Sequence, residues 1–313
     1  MYCCVECKDE HDKLLHLFEC GQEPLHESVA LTVKMILTAL TLTGSIQNLQ
    51  RILNDSKCQT VFDLDLSKPQ DESHKLNILL AINALTTVRE TEHTKSVSLE
   101  EMFEKHPFDL FLKTDVEREF MRSFTNKQLK ILDTNLYDMK EHSYLKSSNR
   151  THGHSIGSGL CVFASLFSHS CDPSVKRITV DNKIAFVVVQ PIQANEQIFV
   201  SYGYSSYEMP REIRQLHLES YGFLCDCVAC QKHYPLLSKQ PRRISYYNEP
   251  NHNAMTALAA ICELKKACKF IENIYDRHPC YETTDMMIYC DHLLHQISKL
   301  PLEEYALSKA KKH

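Results

Sequence analysis

Glycine is scarce in this chain, with seven residues in 313. Basic excess is missing as well: 35 Lys and Arg stand against 40 Asp and Glu, for a net charge of −5. No long hydrophobic run is present. The most apolar stretch, 29–42, is interrupted by Lys34 and several threonines and falls short of the ~20 residues a membrane helix needs. Each absence excludes a class. The composition is not collagen-like or low-complexity, and no broad basic surface for nucleic acid is expected. No membrane span is expected, and no charged, then apolar, leader opens the chain, so the reading is of a protein that is not secreted. What remains is an ordinary globular composition, 43% hydrophobic and 24% charged, long enough for one large domain or two to three small ones.

Fourteen cysteines need an explanation. Without a leader they read as metal ligands and buried thiols rather than disulfides, and the sequons at Asn54 and Asn149 as chance matches. Cys3, Cys4, Cys7, His16 and Cys20 crowd the first twenty residues. The strongest signal is Cys225-Asp226-Cys227-Val228-Ala229-Cys230. Three thiols on one loop suit a tetrahedral zinc, with Zn–S near ~2.3 Å, and leave one ligand to come from elsewhere. Cys171, in Ser168-His169-Ser170-Cys171-Asp172-Pro173, is a candidate. Cys58, Cys161, Cys262, Cys268, Cys280 and Cys290 read as small buried hydrophobes.

Helical spacing of Ala30, Val33, Leu37 and Leu40 starts a helix at about Glu27, with Gly44 as its stop. A second helix is expected over 73–88 and a polar loop over 89–98. A third spans 115–132 with Asp115 as N-cap. Five of the seven glycines fall between 153 and 222, where runs at 175–180, 183–190 and 197–202 turn β-like. Asp181-Asn182 suits a tight hairpin, and Pro191 stops the strand before it. Residues 231–253 carry three prolines and read as a linker to two helices, 254–275 and 284–300. The order implies a composite α+β protein.

Four pieces carry a resemblance. Ser155 to Leu160 is glycine-bearing; Ser165 to Ser174 reads S-L-F-S-H-S-C-D-P-S; Ile198 to Gly203 reads I-F-V-S-Y-G; and Tyr221 to Cys230 reads Y-G-F-L-C-D-C-V-A-C. In this order they resemble the core SET and post-SET segments of protein lysine methyltransferases, specifically the SET and MYND domain-containing family. The first twenty residues look like the second half of a MYND zinc finger. The resemblance divides the chain into a partial finger (1–20), a helical insert (21–134), the core SET segment (135–208), a post-SET zinc segment (209–231), and a linker with C-terminal helices (232–313). The implied fold is α+β: a β-rich SET core with a helical insert, a post-SET zinc loop and a tetratricopeptide-like helical tail.

The resemblance also implies an activity. The cofactor is S-adenosylmethionine, the substrate a lysine of a histone or non-histone protein, and the location cytoplasm, nucleus or both, with no direct nucleic-acid or membrane partner. A free lysine has a pKa near ~10.4, so its amine must be deprotonated and held in line. Tyr202 sits at the family's catalytic tyrosine position, and Tyr221 and Phe223 match channel and cofactor-wall aromatics. Ser168, His169 and Asn135 match cofactor contacts. Zinc would be held by Cys171, Cys225, Cys227 and Cys230.

Departures are Ser168 and Ser174 where the family has asparagine, and Asn195 where it has glycine; asparagine tolerates the left-handed backbone. In the family Cys3 and Cys7 serve one finger zinc and His16 and Cys20 another, so each site is half-supplied and about one zinc is expected per chain. The family's glycine-rich cofactor loop has no counterpart before residue 157. The expectation is a truncated or divergent member that binds the cofactor weakly. The rival reading is a catalytically inactive, zinc-stabilised module that binds protein partners through its helices.

Overall fold

A computed structural model describes residues 27–56, 60–63, 72–85, 87, 102–104, 108–145, 150–180, 183–253 and 255–298, with Val5, Lys8 and Asp9. The finger residues Cys3, Cys7, His16 and Cys20, together with Cys58, the 89–98 loop and the Asp181-Asn182 turn, lie outside the described residues. Contacts divide the chain into two units: Met1–Tyr137 with Ser158–Ser165, and Asp138–Gly157 with Leu166–His313.

The first unit is helical. Helix α1 (Glu27–Thr43) buries Val33, Ile36, Leu37 and Leu40. It stops at Gly44, whose φ of +72° places it in the left-handed region and lets its N–H reach Leu40 O at 2.8 Å. A helix not expected from the sequence, α2 (Ile46–Asp55), restarts at once because the Ser45 hydroxyl accepts the Asn48 N–H. Helix α3 (Glu72–Asn83) ends five residues before the expected boundary. Helix α4 runs Asp115–Asn135, and its N-cap is Thr114 rather than Asp115. The Thr114 hydroxyl accepts the Glu117 N–H at 3.3 Å, while the Glu117 carboxylate accepts the Thr114 N–H at 2.8 Å. This reciprocal box supplies two otherwise unpaired donors with partners, which an aspartate one residue later cannot do. Leu40, Leu49, Phe103, Phe108 and Met121 form the fully buried centre. Among the described residues no single helix is long and apolar enough to cross a membrane.

Strands β1 (Leu136–Leu145) and β2 (Arg150–Leu160) then pair with each other. Neither was expected as a strand. In the second unit β3 (Ser168–His169) pairs parallel with β6 (Phe199–Val200), setting His169 beside Val200. Strands β4 (Val175–Val180) and β5 (Lys183–Val188) are antiparallel, from Val175↔Val188 to Val180↔Lys183. The expected strand over 197–202 is therefore only two residues long, and β5 stops before Val189. Asn195 adopts φ 66°, the left-handed conformation expected of it.

Helix α5 (Arg211–Glu219) leads into the cysteine loop, which ends in a single turn, Val228–Gln231. The C-terminal pair, α6 (Ala257–Ile274) and α7 (Tyr281–Ile297), packs through Ala260, Ile271, Leu293 and Leu294 in one cluster with Ile178 and Val189. Of the lone cysteines read as buried, Cys280 and Cys290 are, but Cys262 is exposed and Cys161 and Cys268 are half-buried. Position 262 falls on the outward side of α6, where helical periodicity overrides the thiol's preference for burial.

Candidate active site and metal centre

Four thiols converge where β3 runs into the cysteine loop. The pairing of β3 with β6 fixes Cys171, whose carbonyl accepts the Ser206 N–H at 2.8 Å. Gln215, on α5, holds Cys225 by both sides of its backbone: Nε2 donates to Cys225 O at 2.7 Å and Oε1 accepts Cys225 N–H at 2.8 Å. The turn after Cys227 brings Cys230 back, its N–H reaching Cys227 O at 2.8 Å. Cys171 Sγ lies 3.9 Å from Cys225 Sγ and 3.6 Å from Cys230 Sγ, and all four sulfurs lie within 4.8 Å of one another. A tetrahedron with ~2.3 Å bonds has edges of about 3.8 Å. The cage can hold a metal ion.

The surroundings are made for thiolates. The Cys171 N–H points at Cys227 Sγ (3.4 Å), and Arg214 Nη2 and Gln215 Nε2 point at Cys230 Sγ (3.4 and 3.6 Å). Arg214 is 1% exposed. A divalent ion with four thiolates carries two net negative charges, and this buried guanidinium offsets one of them. Crowding makes the thiols titrate against one another. Hydrogen bonds from Cys171 and Cys225 pull Cys227 well below the ordinary thiol range. Bonding to Cys225 and Cys227, with burial, pushes Cys171 far above it. Cys225 is favoured by its bond with Cys171, but Cys227 and burial outweigh that and push it up to about 11. A bound cation lets all four ionise together.

His169 joins this cage to a cluster of aromatic rings. Its Nδ1 accepts the Tyr202 N–H at 3.0 Å, which assigns the proton to Nε2, 3.3 Å from Cys171 Sγ. Burial lowers its pKa to about 4, with Cys227 opposing and Arg214 adding to the shift, so the ring is neutral near pH 7. The Tyr202 ring lies 5.0 Å from Tyr221, 5.2 Å from His169, and edge-on to Phe223 at 6.4 Å. Its hydroxyl donates to the Phe167 carbonyl at 2.8 Å. Burial, with Tyr221 nearby, raises the Tyr202 pKa and keeps the phenol protonated. Two oxygens thus stand side by side within an aromatic surround, each with lone pairs left to accept from an N–H.

Eight of the site residues named from sequence therefore gather in the second unit around two features: Tyr202, Tyr221, Phe223 and His169 with the rings, and Cys171, Cys225, Cys227 and Cys230 in the cage. Ser168 is adjacent on β3, and its hydroxyl accepts from Gln197 Nε2 at 3.0 Å. Asn135 belongs to the other unit, at the end of α4, where its Nδ2 donates to Ile131 O at 2.8 Å. Sequence reasoning missed Arg214, Gln215 and the Phe167 carbonyl. A backbone oxygen leaves no residue signature. The Arg-Gln pair on the helix before a cysteine triplet is the one signal that could have revealed the cage's outer layer.

The SET domain family profile matches residues 50–203, so a SET domain is present. The matched segment includes Ser168, His169, Cys171 and Tyr202 and ends at Gly203, before the cysteine triplet. The chain is similar to SET domain-containing protein 3 of Caenorhabditis elegans, 29% identical over 140 residues covering 43% of this chain and 30% of that protein. It is also similar to N-lysine methyltransferase SMYD2-B of Xenopus laevis, 30% identical over 167 residues covering 43% of this chain and 37% of that protein. The chain spans about a third of the length of these curated relatives.

Proposed function

We propose that the chain forms part of a protein-lysine N-methyltransferase of the SET and MYND type, with the Tyr202 cluster as its reacting centre and a zinc ion in the four-cysteine cage. The SET domain and the similarity to a named lysine methyltransferase support the reaction class. The observation that carries the reading is the Tyr202 hydroxyl donating to the Phe167 carbonyl among aromatic rings. That donor set suits a primary amine: two oxygens accept its N–H groups, and the rings disfavour the charged ammonium.

S-adenosylmethionine supplies an electrophilic methyl when bound. Tyr202 orients the amine lone pair and its hydroxyl oxygen stabilises charge that develops on nitrogen. Tyr221 and Phe223 exclude water, and His169 fixes the Tyr202 backbone. Ser168 and His169 are the proposed cofactor contacts in the second unit. Cys171, Cys225, Cys227 and Cys230 hold the zinc that keeps Tyr221 and Phe223 in place. Ser168 favours the alternative, a non-catalytic module: its hydroxyl is already engaged by Gln197, where the family's asparagine would offer two further donors.

Tyr202→Phe in the full-length protein tests the reading. Methyl transfer to a lysine peptide should fall ~10²-fold or more with little change in cofactor affinity, because the hydroxyl acts only on the reacting amine. An unchanged turnover number removes Tyr202 from the mechanism. Absence of transfer by the wild-type protein leaves the module reading.

A further inference from the structure

The proline-bearing segment read from sequence as a linker, 231–253, is tied down over the start of α7. Tyr281 N–H donates to Pro241 O at 3.0 Å, and the Glu282 carboxylate accepts the Arg243 and Ile244 N–H groups. Beyond a turn, the Tyr247 hydroxyl donates to Asp285 Oδ2 at 2.7 Å. The turn itself is Ser245-Tyr246, closed by Tyr247 N–H on Ile244 O at 3.4 Å, and both of its residues are exposed, Tyr246 by 85%. Arg242 and Arg243, also exposed, precede it. We propose that Ser245 is a phosphorylation site for a protein kinase that selects basic peptides, and that the phosphate unlatches this segment from α7. The inference is independent of the methyl-transfer reading.

Two observations carry the site. The first is charge: guanidinium groups three and two residues before a serine suit a peptide cleft lined with carboxylates, where each can form forked, charge-assisted bonds. The second is presentation. Residues 241–244 belong to no helix or strand, and their bonds to Tyr281 and Glu282 use backbone atoms, which leaves the arginine side chains at the surface. The chain holds an internal contrast. Lys176-Arg177-Ile178-Thr179 repeats the charge pattern, yet β4 pairs Thr179 with Ile184, and the Lys176 side chain, 14% exposed, lies 3.9 Å from Asp291. Of these two segments the structure presents only the first to a second protein.

In the transfer, Ser245 Oγ attacks the γ-phosphorus of a nucleoside triphosphate held by the kinase. The bond from that phosphorus to the β,γ-bridging oxygen breaks, nucleoside diphosphate leaves, and the hydroxyl proton passes to the kinase's catalytic carboxylate. The product adds about two negative charges beside a latch built on one cation. Arg242 Nη2 donates to Glu249 Oε1 at 3.0 Å, its guanidinium sits 3.9 Å from the Tyr281 ring centroid, and the Tyr281 hydroxyl donates to the same Glu249 oxygen at 2.9 Å. Both Arg242 and Glu249 are more than half exposed, so the pair is weak enough to be redirected. A phosphate dianion three residues from Arg242 competes with that single carboxylate for the guanidinium and repels Glu249.

The purified, metal-loaded chain tests this with the catalytic subunit of a cyclic-AMP-dependent protein kinase and ATP. Peptide mass spectrometry should find phosphate at Ser245 and none at Thr179. Ser245→Ala should abolish incorporation into that peptide. Arg243→Gln, which keeps the backbone N–H that Glu282 accepts, should slow incorporation about tenfold or more. On phosphorylation, hydrogen exchange over 246–249 should rise about three- to tenfold, the size expected from losing one exposed ion pair and one exposed cation–π contact. Failure of the folded chain to take phosphate at Ser245, or incorporation that Arg243→Gln leaves unchanged, overturns the site. Unchanged exchange in the phosphorylated protein overturns the latch.

Discussion

The helical unit and the cage region of the second unit keep their interiors out of water by different means. In the helical unit the residues at the centre are Leu40, Leu49, Phe103, Phe108 and Met121, large side chains drawn from α1, α2, α4 and the short helical segments that hold Phe103 and Phe108. Around the cage the buried set is Cys171, Leu218, Cys225, Ala229 and Cys230, with partly exposed tyrosines packed against it. Burying large apolar side chains stabilises by roughly 1.5–3 kcal/mol each, so the first interior supports itself. The cage region, unlike the apolar core of the C-terminal helices in the same unit, has little apolar area to bury and depends on directional bonds, to sulfur and between side chain and backbone. The difference teaches where each part of the molecule is vulnerable: one to cavities, the other to the loss of a ligand or a hydrogen bond.

Metal removal should break the comparison most strongly. Structural zinc sites contribute on the order of 10 kcal/mol or more of apparent binding free energy. A chelator should therefore raise hydrogen exchange across 221–230 and around Tyr202 while leaving α1 and α4 protected. Equal loss in both units would show that the helical unit also leans on the metal.

Leu40→Ala is the converse experiment. It should cost ~2–5 kcal/mol through lost burial and the residual cavity, measured by denaturant unfolding, with no change in zinc per chain. Loss of metal in this variant would contradict the separation.

A smaller effect is expected at Glu282, a buried residue at the start of α7. Its carboxylate accepts the Arg243 N–H at 2.9 Å and the Ile244 N–H at 3.1 Å. Burial opposes ionisation, yet the Ile244 and Arg243 amides hold its pKa below the ordinary glutamate range. A depressed folded value means the stabilisation is fully present above an unfolded pKa of ~4.3 and is lost as pH falls through the folded value. Glu282→Gln should cost ~1.5–3 kcal/mol near neutrality and flatten the acid limb of the stability curve. An unaltered acid limb removes Glu282 as its source. Smallest is Thr114→Ala, ~1 kcal/mol from the lost cap of α4, with the exchange of 221–230 untouched.

Much of this was legible in the residues and their spacing. Helical periodicity located α1, α4, α6 and α7 to within a few residues, because it reports which face of one segment leaves water. The cysteine triplet marked its own loop, because three ligands close in sequence can converge without knowledge of the rest of the chain. Helix α2 escaped: its start depends on the Ser45 cap after a left-handed glycine, a turn that periodicity does not register. The long β1–β2 pair escaped as well.

The sequence by itself determined the ligand loop, the helical faces and the motif that holds Ser168, His169 and Cys171. Only the tertiary structure decided that Cys171 Sγ stands 3.9 Å from a thiol 54 residues away, that Tyr202 finds the Phe167 carbonyl, and that Arg214 lies buried against sulfur. It also turned Cys262 outward and Cys290 inward. The reason is physical. Spacing encodes geometry only along one helix, strand or loop, whereas a site assembled from separate segments exists only after β3 has paired with β6 and the cysteine loop has folded back onto them.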